Sequence, residues 1–191
     1  MPESLTYLWR LLPVFAAFAA VYITARLLSL KKPSSVMHEV CLFLFWGMIA
    51  GVLMMTVVPE PGDIPFADIR NPECYNFIPV RYYIYLYGLM SPKSFIGYFI
   101  LNAVGNVLVF VPVGFLAKPA VGAGFAGSVG ICAGLSLFIE LVQIVLPRTT
   151  DIDDVILNTL GGVIGAALMC ACVRVPDGRK RRKAELMKES Q

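Results

Sequence analysis

The sequence predicts an all-α membrane protein, a polytopic bundle of about five transmembrane helices plus a short interfacial or re-entrant segment. Three observations carry that expectation. Hydrophobic residues make up 58% of the 191, and charged residues only 15%, against about 25% charged in an ordinary soluble domain. Several apolar runs reach roughly 20 residues, the length that crosses a hydrocarbon core about 30 Å thick. No water is present in that core to satisfy peptide groups, so such runs must be helices.

Charge and cysteine usage narrow the class further. The net charge is +3, but the basic residues cluster beside apolar runs, so nucleic acid is not an expected partner. Cys41, Cys132, Cys170 and Cys172 sit inside apolar runs, and Cys74, in polar sequence, has no evident disulfide partner. With one histidine, His38, and no zinc-type cysteine pair, neither a metal nor a cofactor is expected.

The first expected span covers residues 11–25, bracketed by Arg10 and by Arg26, Lys31 and Lys32. Ala17-Phe18-Ala19 resembles a signal-peptidase site, but the apolar run continues past it, which favours an uncleaved span. Residues 31–35 turn the chain. The second span, 40–58, carries no charge, and His38-Glu39 ahead of it reads as an interfacial cap. Residues 59–93 form the long connection, whose first part is too rich in proline and acid to cross a membrane. Within it, Tyr82-Tyr83-Ile84-Tyr85-Leu86-Tyr87 is too short to span and suits the bilayer interface.

The third span, 95–116, contains Asn102, Asn106 and Pro112. Ala117-Lys118-Pro119 is expected to turn the chain into the fourth span, 120–146. Glycines at 122, 124, 127, 130 and 134 there should let another helix approach closely. The fifth span, 155–173, carries GxxxG at Gly161 and Gly165, read as packing residues. The tail is basic and is expected to be disordered or interfacial, with residues 179–183 suited to anionic lipid. The chain thus divides into a first span and turn (1–35), a membrane domain (36–174) and a basic tail (175–191).

Lysine and arginine bias sets the orientation. A cytoplasmic tail puts Arg26, Lys31, Lys32, Lys118, Arg174, the 179–183 cluster and Lys188 inside, and Arg10, Arg70, Arg81, Lys93 and Arg148 outside. That is eleven against five. The expectation is a multi-pass membrane protein, N-terminus outside and C-terminus cytoplasmic.

In this arrangement polar residues converge. At about 1.5 Å per residue, Glu140 lies roughly 9 Å below Leu146, Asn158 roughly 10 Å below Asp151, and Asn102 about 10 Å below Phe95. Ser136, Glu140 and Gln143 share a helix face, as do Asp151, Asp154 and Asn158, and Asn102 and Asn106. Polar groups at that depth are costly in lipid unless they meet each other or water. The expected result is an outward-opening polar pocket between spans three, four and five.

These residues also carry a resemblance. Asn102-x-x-x-Asn106-x-x-x-Phe110-x-Pro112-x-Gly114, Ser136-x-x-x-Glu140-x-x-Gln143, Arg148, Asp151 and Asp154-x-x-x-Asn158-x-x-Gly161 look like the VanZ-like membrane family, over roughly residues 50–170. Asn76-Phe77-Ile78-Pro79 is similar to that family's short N-x-x-P element. The resemblance implies an integral membrane protein, some relatives of which lower susceptibility to teicoplanin-type glycopeptides. It supplies no catalytic assignment.

Each polar residue has a plainer alternative. Thr150 followed by Asp153 fits a helix N-cap and capping box, with acids favoured in the first turn. Arg148 either pairs with the aspartates or faces a ligand. Glu140 has no capping duty, so it reads as a site residue against a structural interhelical bond, and the amides commonly join membrane helices. Two functions stay open. One is a protein whose pocket binds membrane lipid, a cell-wall precursor or a lipoglycopeptide. The other is an embedded enzyme acting on such a headgroup, with Glu140 as general acid/base and Arg148 on a phosphate or carboxylate. Transport is weaker, because no inverted repeat is visible.

Overall fold

A computed structural model describes residues 16–28, 35–57, 75–146 and 149–189, with side chains as far as residue 173. Among these the chain forms six helices and two very short strands. We label them α1 (Ala16–Leu28), α2 (Val36–Val57), β1 (Tyr75–Asn76) and α3 (Arg81–Leu89). The remainder are α4 (Pro92–Val121), α5 (Phe125–Gln143), β2 (Thr150–Asp151) and α6 (Ile152–Glu189). Four helices are long and apolar enough to cross a membrane: α2, α4, α5 and the Ile152–Val173 part of α6. The protein is a multi-pass membrane protein. Part of the expected first span, residues 11–15, lies outside the described residues, and α1 is its described portion.

Local sequence explains where the spans begin and end. Ser91 caps α4, its Oγ accepting the Ser94 N–H, with Pro92 in the first turn, where a missing N–H costs nothing. The expected turn at Ala117-Lys118-Pro119 does not form, and α4 runs on through Val121. Gly122 is the residue able to take the left-handed conformation (φ 71°). Its N–H bonds Lys118 O and the Ala123 N–H bonds Ala117 O, a glycine-terminated helix end. The tail, expected to be disordered or interfacial, continues α6 as helix to Glu189.

Helix α4 is the hub, packing most extensively against α6 and also against α2 and α5. Phe45 and Val52 of α2, Phe110, Val113, Ala117 and Ala120 of α4, and Cys132 and Ile139 of α5 form the apolar core. Glycine permits the α4–α6 approach. A Cβ at Gly165 would lie 2.1 Å from Val111 O, one at Gly161 2.2 Å from Val107 O, and one at Gly114 2.4 Å from Gly162 O. The α5 glycines do something else. Among the described residues, and beyond the local backbone, nothing lies within 4 Å of a Cβ built at Gly124, Gly130 or Gly134, so no close helix approach is seen there. Leu101, Leu108, Leu137, Leu141 and Leu160 remain exposed, a surface suited to hydrocarbon.

At the end of the bundle away from Gly122, β1 and β2 pair in parallel, Tyr75 opposite Thr150 and Asn76 opposite Asp151. This two-residue ladder ties the end of the long connection to the turn between α5 and α6. At the other end, Arg26 pairs with Glu39, and His38 Nδ1 donates to Pro119 O at 2.9 Å. His38 therefore joins α2 to the end of α4.

Candidate functional site

Helix α5 carries three polar side chains on one buried strip: Ser136 is 0% exposed, Glu140 4% and Gln143 7%. None faces lipid. Glu140 Oε2 accepts the backbone N–H of Asp151 at 2.8 Å, and Thr150 Oγ1 makes a long contact of 3.5 Å to Glu140 O. Among the described residues Glu140 Oε1 has no hydrogen-bond donor. Gln143 leaves the cluster, donating instead to Thr56 O of α2 at 3.2 Å.

The start of α6 is capped differently from the sequence expectation. Asp151, not Thr150, supplies the cap, its Oδ1 accepting the Asp153 N–H at 2.9 Å and also Asn76 Nδ2 at 2.9 Å. Asp153 is therefore free of the capping box. Both its carboxylate oxygens lie 2.9 Å from the backbone N of Val80. Val80 has φ 64°, a conformation that costs a β-branched residue about 1–3 kcal/mol unless its surroundings hold it. The acceptor from α6 is one such hold.

Deeper on the same face, Asp154 Oδ1 accepts from Asn106 Nδ2 of α4 at 2.5 Å. One turn further, Asn158 Nδ2 donates to Ser136 Oγ of α5 at 2.9 Å. Asn102 lies on a π-helical stretch of α4, Ile100–Val104, a form that in helices often marks a functional position. Its Oδ1 accepts the Tyr83 hydroxyl of α3 at 2.6 Å. Helices α3 to α6 thus meet at one polar layer closed by the β1–β2 pair.

Electrostatics at the rim follow burial. Loss of water pushes the Asp151 carboxyl above the usual aspartate range, although the Asp153 N–H and Asn76 oppose that shift. Burial also raises Tyr83, and the nearby Asp154, Asp153 and Asp151 raise it further. Its hydroxyl therefore stays a donor at neutral pH. The Arg26–Glu39 ion pair is the one found among the described residues, so no described cation pairs with the four clustered carboxylates. No group of three or more His, Cys, Asp or Glu among the described residues is arranged to hold a metal ion.

Of the residues singled out from sequence, Asn76, Asn106, Ser136, Glu140, Asp151, Asp154 and Asn158 bond one another in this layer, and Asn102 joins it through Tyr83. Gln143 does not join them, Pro79 is an exposed turn residue, and Arg148 lies outside the described residues. Sequence reasoning missed Tyr83, Val80 and the acceptor role of Asp153. Two cavities, of about 630 and 640 Å³, are lined by apolar residues of α1, α2 and Val109, together with Tyr22 and Arg26, and by none of the clustered residues.

The VanZ/LLP1 family model matches residues 41–173. That stretch contains every residue of the polar layer and leaves out α1 and the basic end of α6. No curated protein and no solved structure matches the chain.

Proposed function

The chain belongs to the VanZ/LLP1 family, and on that basis we propose that its buried polar layer binds a polar component of the bacterial envelope. Binding would lower susceptibility to teicoplanin-type lipoglycopeptides by changing how they reach the membrane surface. The observation that carries this reading is Glu140, 4% exposed yet bonded through one carboxylate oxygen to a backbone N–H. A carboxylate kept at such a depth is expensive, and its second oxygen is left for a ligand.

The layer faces the outer side in the orientation set by the basic residues. Its ligand is accordingly an outer-leaflet headgroup or a wall precursor. A second reading, an embedded enzyme acting on that headgroup, draws on the same oxygen. A held carboxylate with one open oxygen has the geometry of a general acid/base.

The test is susceptibility in matched strains carrying empty vector, wild type and Glu140→Ala, with each protein confirmed in the membrane. We expect wild type to raise tolerance to teicoplanin more than to vancomycin, and Glu140→Ala to abolish the difference. Equal susceptibility of all three strains rejects the antibiotic role.

A further inference from the structure

Resting on the reading that this layer binds an envelope component, we propose that the group it takes is a primary ammonium carried by a lipid headgroup. Glu140, Asp151, Asp153 and Asp154 are carboxylates on neighbouring turns, and no described cation pairs with them. Among the described residues two buried polar atoms at this end of the bundle lack any partner, Asn158 Oδ1 and Asn76 Oδ1. Both are acceptors. Asn158 is only 6% exposed and sits one helical turn below Asp154, across from Ser136, itself one turn below Glu140.

A buried acceptor without a donor costs free energy until something fills it. The two amides cannot simply turn to help. Asn76 Nδ2 is committed to the Asp151 carboxylate, which can only accept, and turning Asn158 so that its oxygen meets the Ser136 hydroxyl would orphan its NH2 instead. The complement of this set is a cation bearing several N–H donors and no acceptor, which describes a primary ammonium. A trimethylammonium has the same charge but no N–H, so it leaves the orphan carbonyls unfilled. Phosphate or carboxylate would set acceptors against acceptors. We assign the source to a lipid because the helices around the layer present apolar outer surfaces, including Leu101, Leu137 and Leu160.

The test uses the full-length protein in nanodiscs containing equal amounts of phosphatidylethanolamine, phosphatidylcholine and phosphatidylglycerol. Bound lipid is read by native mass spectrometry. We expect wild type to retain the ethanolamine lipid about tenfold over the choline lipid, the size of one charged hydrogen bond. Asp154→Asn should lose that preference. Free ethanolamine should not compete, whereas short-chain phosphatidylethanolamine should; competition by free ethanolamine overturns the lipid source.

Equal retention of amine and trimethylamine lipids overturns the inference without recourse to any variant. So does a preference for phosphatidylglycerol. If that preference is lost in Glu140→Ala, the envelope-binding reading survives and only the ammonium falls. Were Arg148 to occupy the acceptors, no amine-dependent retention would be seen, and the inference would fall as well.

Discussion

The carboxylate of Glu140 and the backbone N–H of Asp151 are joined at 2.8 Å, so a residue inside a spanning helix is fixed by the strand just ahead of α6. Glu140→Gln keeps a carbonyl oxygen that can accept this bond, whereas Glu140→Ala removes it. Losing the acceptor for a buried N–H costs about 1–3 kcal/mol. Glu140→Ala is therefore expected to lower the thermal midpoint in detergent while Glu140→Gln stays close to wild type. In function the two readings separate. A binding role should survive partly in Glu140→Gln, and acid/base chemistry should not.

Asp153 holds the turn before α3 through the Val80 N–H. Asp153→Ala leaves that donor unpaired and releases a strained residue, for a loss of about 1–3 kcal/mol. Limited proteolysis of the purified protein should then cut near residues 77–90 several times faster. An unchanged cleavage rate would show that the contact does not secure this segment.

Helix packing gives a paired prediction. Gly165→Leu forces a side chain into α4 backbone, since even a Cβ there would lie 2.1 Å from Val111 O. Overpacking of this kind costs about 1–3 kcal/mol or more. A Cβ at Gly134 meets no described neighbour within 4 Å beyond its local backbone, so Gly134→Leu meets no packed helix there. Size-exclusion profiles of tagged protein should show folded material strongly reduced for Gly165→Leu and near wild type for Gly134→Leu. Equal losses would mean that the α4–α6 contact is not the governing one.

The contrast between those glycines shows what sequence could supply. Glycine spacing marked both α5 and α6 for close approach, but only contact with a partner's backbone distinguishes them, and the partner is a property of the fold. Membrane depth brought Asn102, Glu140 and Asn158 to one level and helix faces added Asn106 and Asp154, because polar groups in apolar runs are costly wherever they stand. Depth could not pair them. Gln143 turns away to Thr56 O, one of the last carbonyls of α2, which have no partner within their own helix. That acceptor is a backbone group and leaves no mark in sequence. Tyr83 was hidden among four similar tyrosines, and the bond to Val80 depends on a left-handed turn at a valine, which no propensity favours. Thr150 suits a cap by residue type, whereas the Asp153 N–H is taken by Asp151 Oδ1.

Topology can be tested through the thiols. In intact cells an impermeant maleimide is expected to label Cys74 and to spare a cysteine introduced by Ser190→Cys, with labelled peptides identified by mass spectrometry. Labelling of the second and not the first would reverse the orientation and place the polar layer on the cytoplasmic side.

Whether the polar layer holds an envelope molecule is tested most directly by extracting wild type and Glu140→Ala from the same membranes and identifying co-purifying lipids and precursors by mass spectrometry. Matched helical content by circular dichroism ensures that folded proteins are compared. We predict one polar species enriched with wild type and lost from Glu140→Ala. Identical molecules in identical amounts from both proteins would contradict a binding role for this layer.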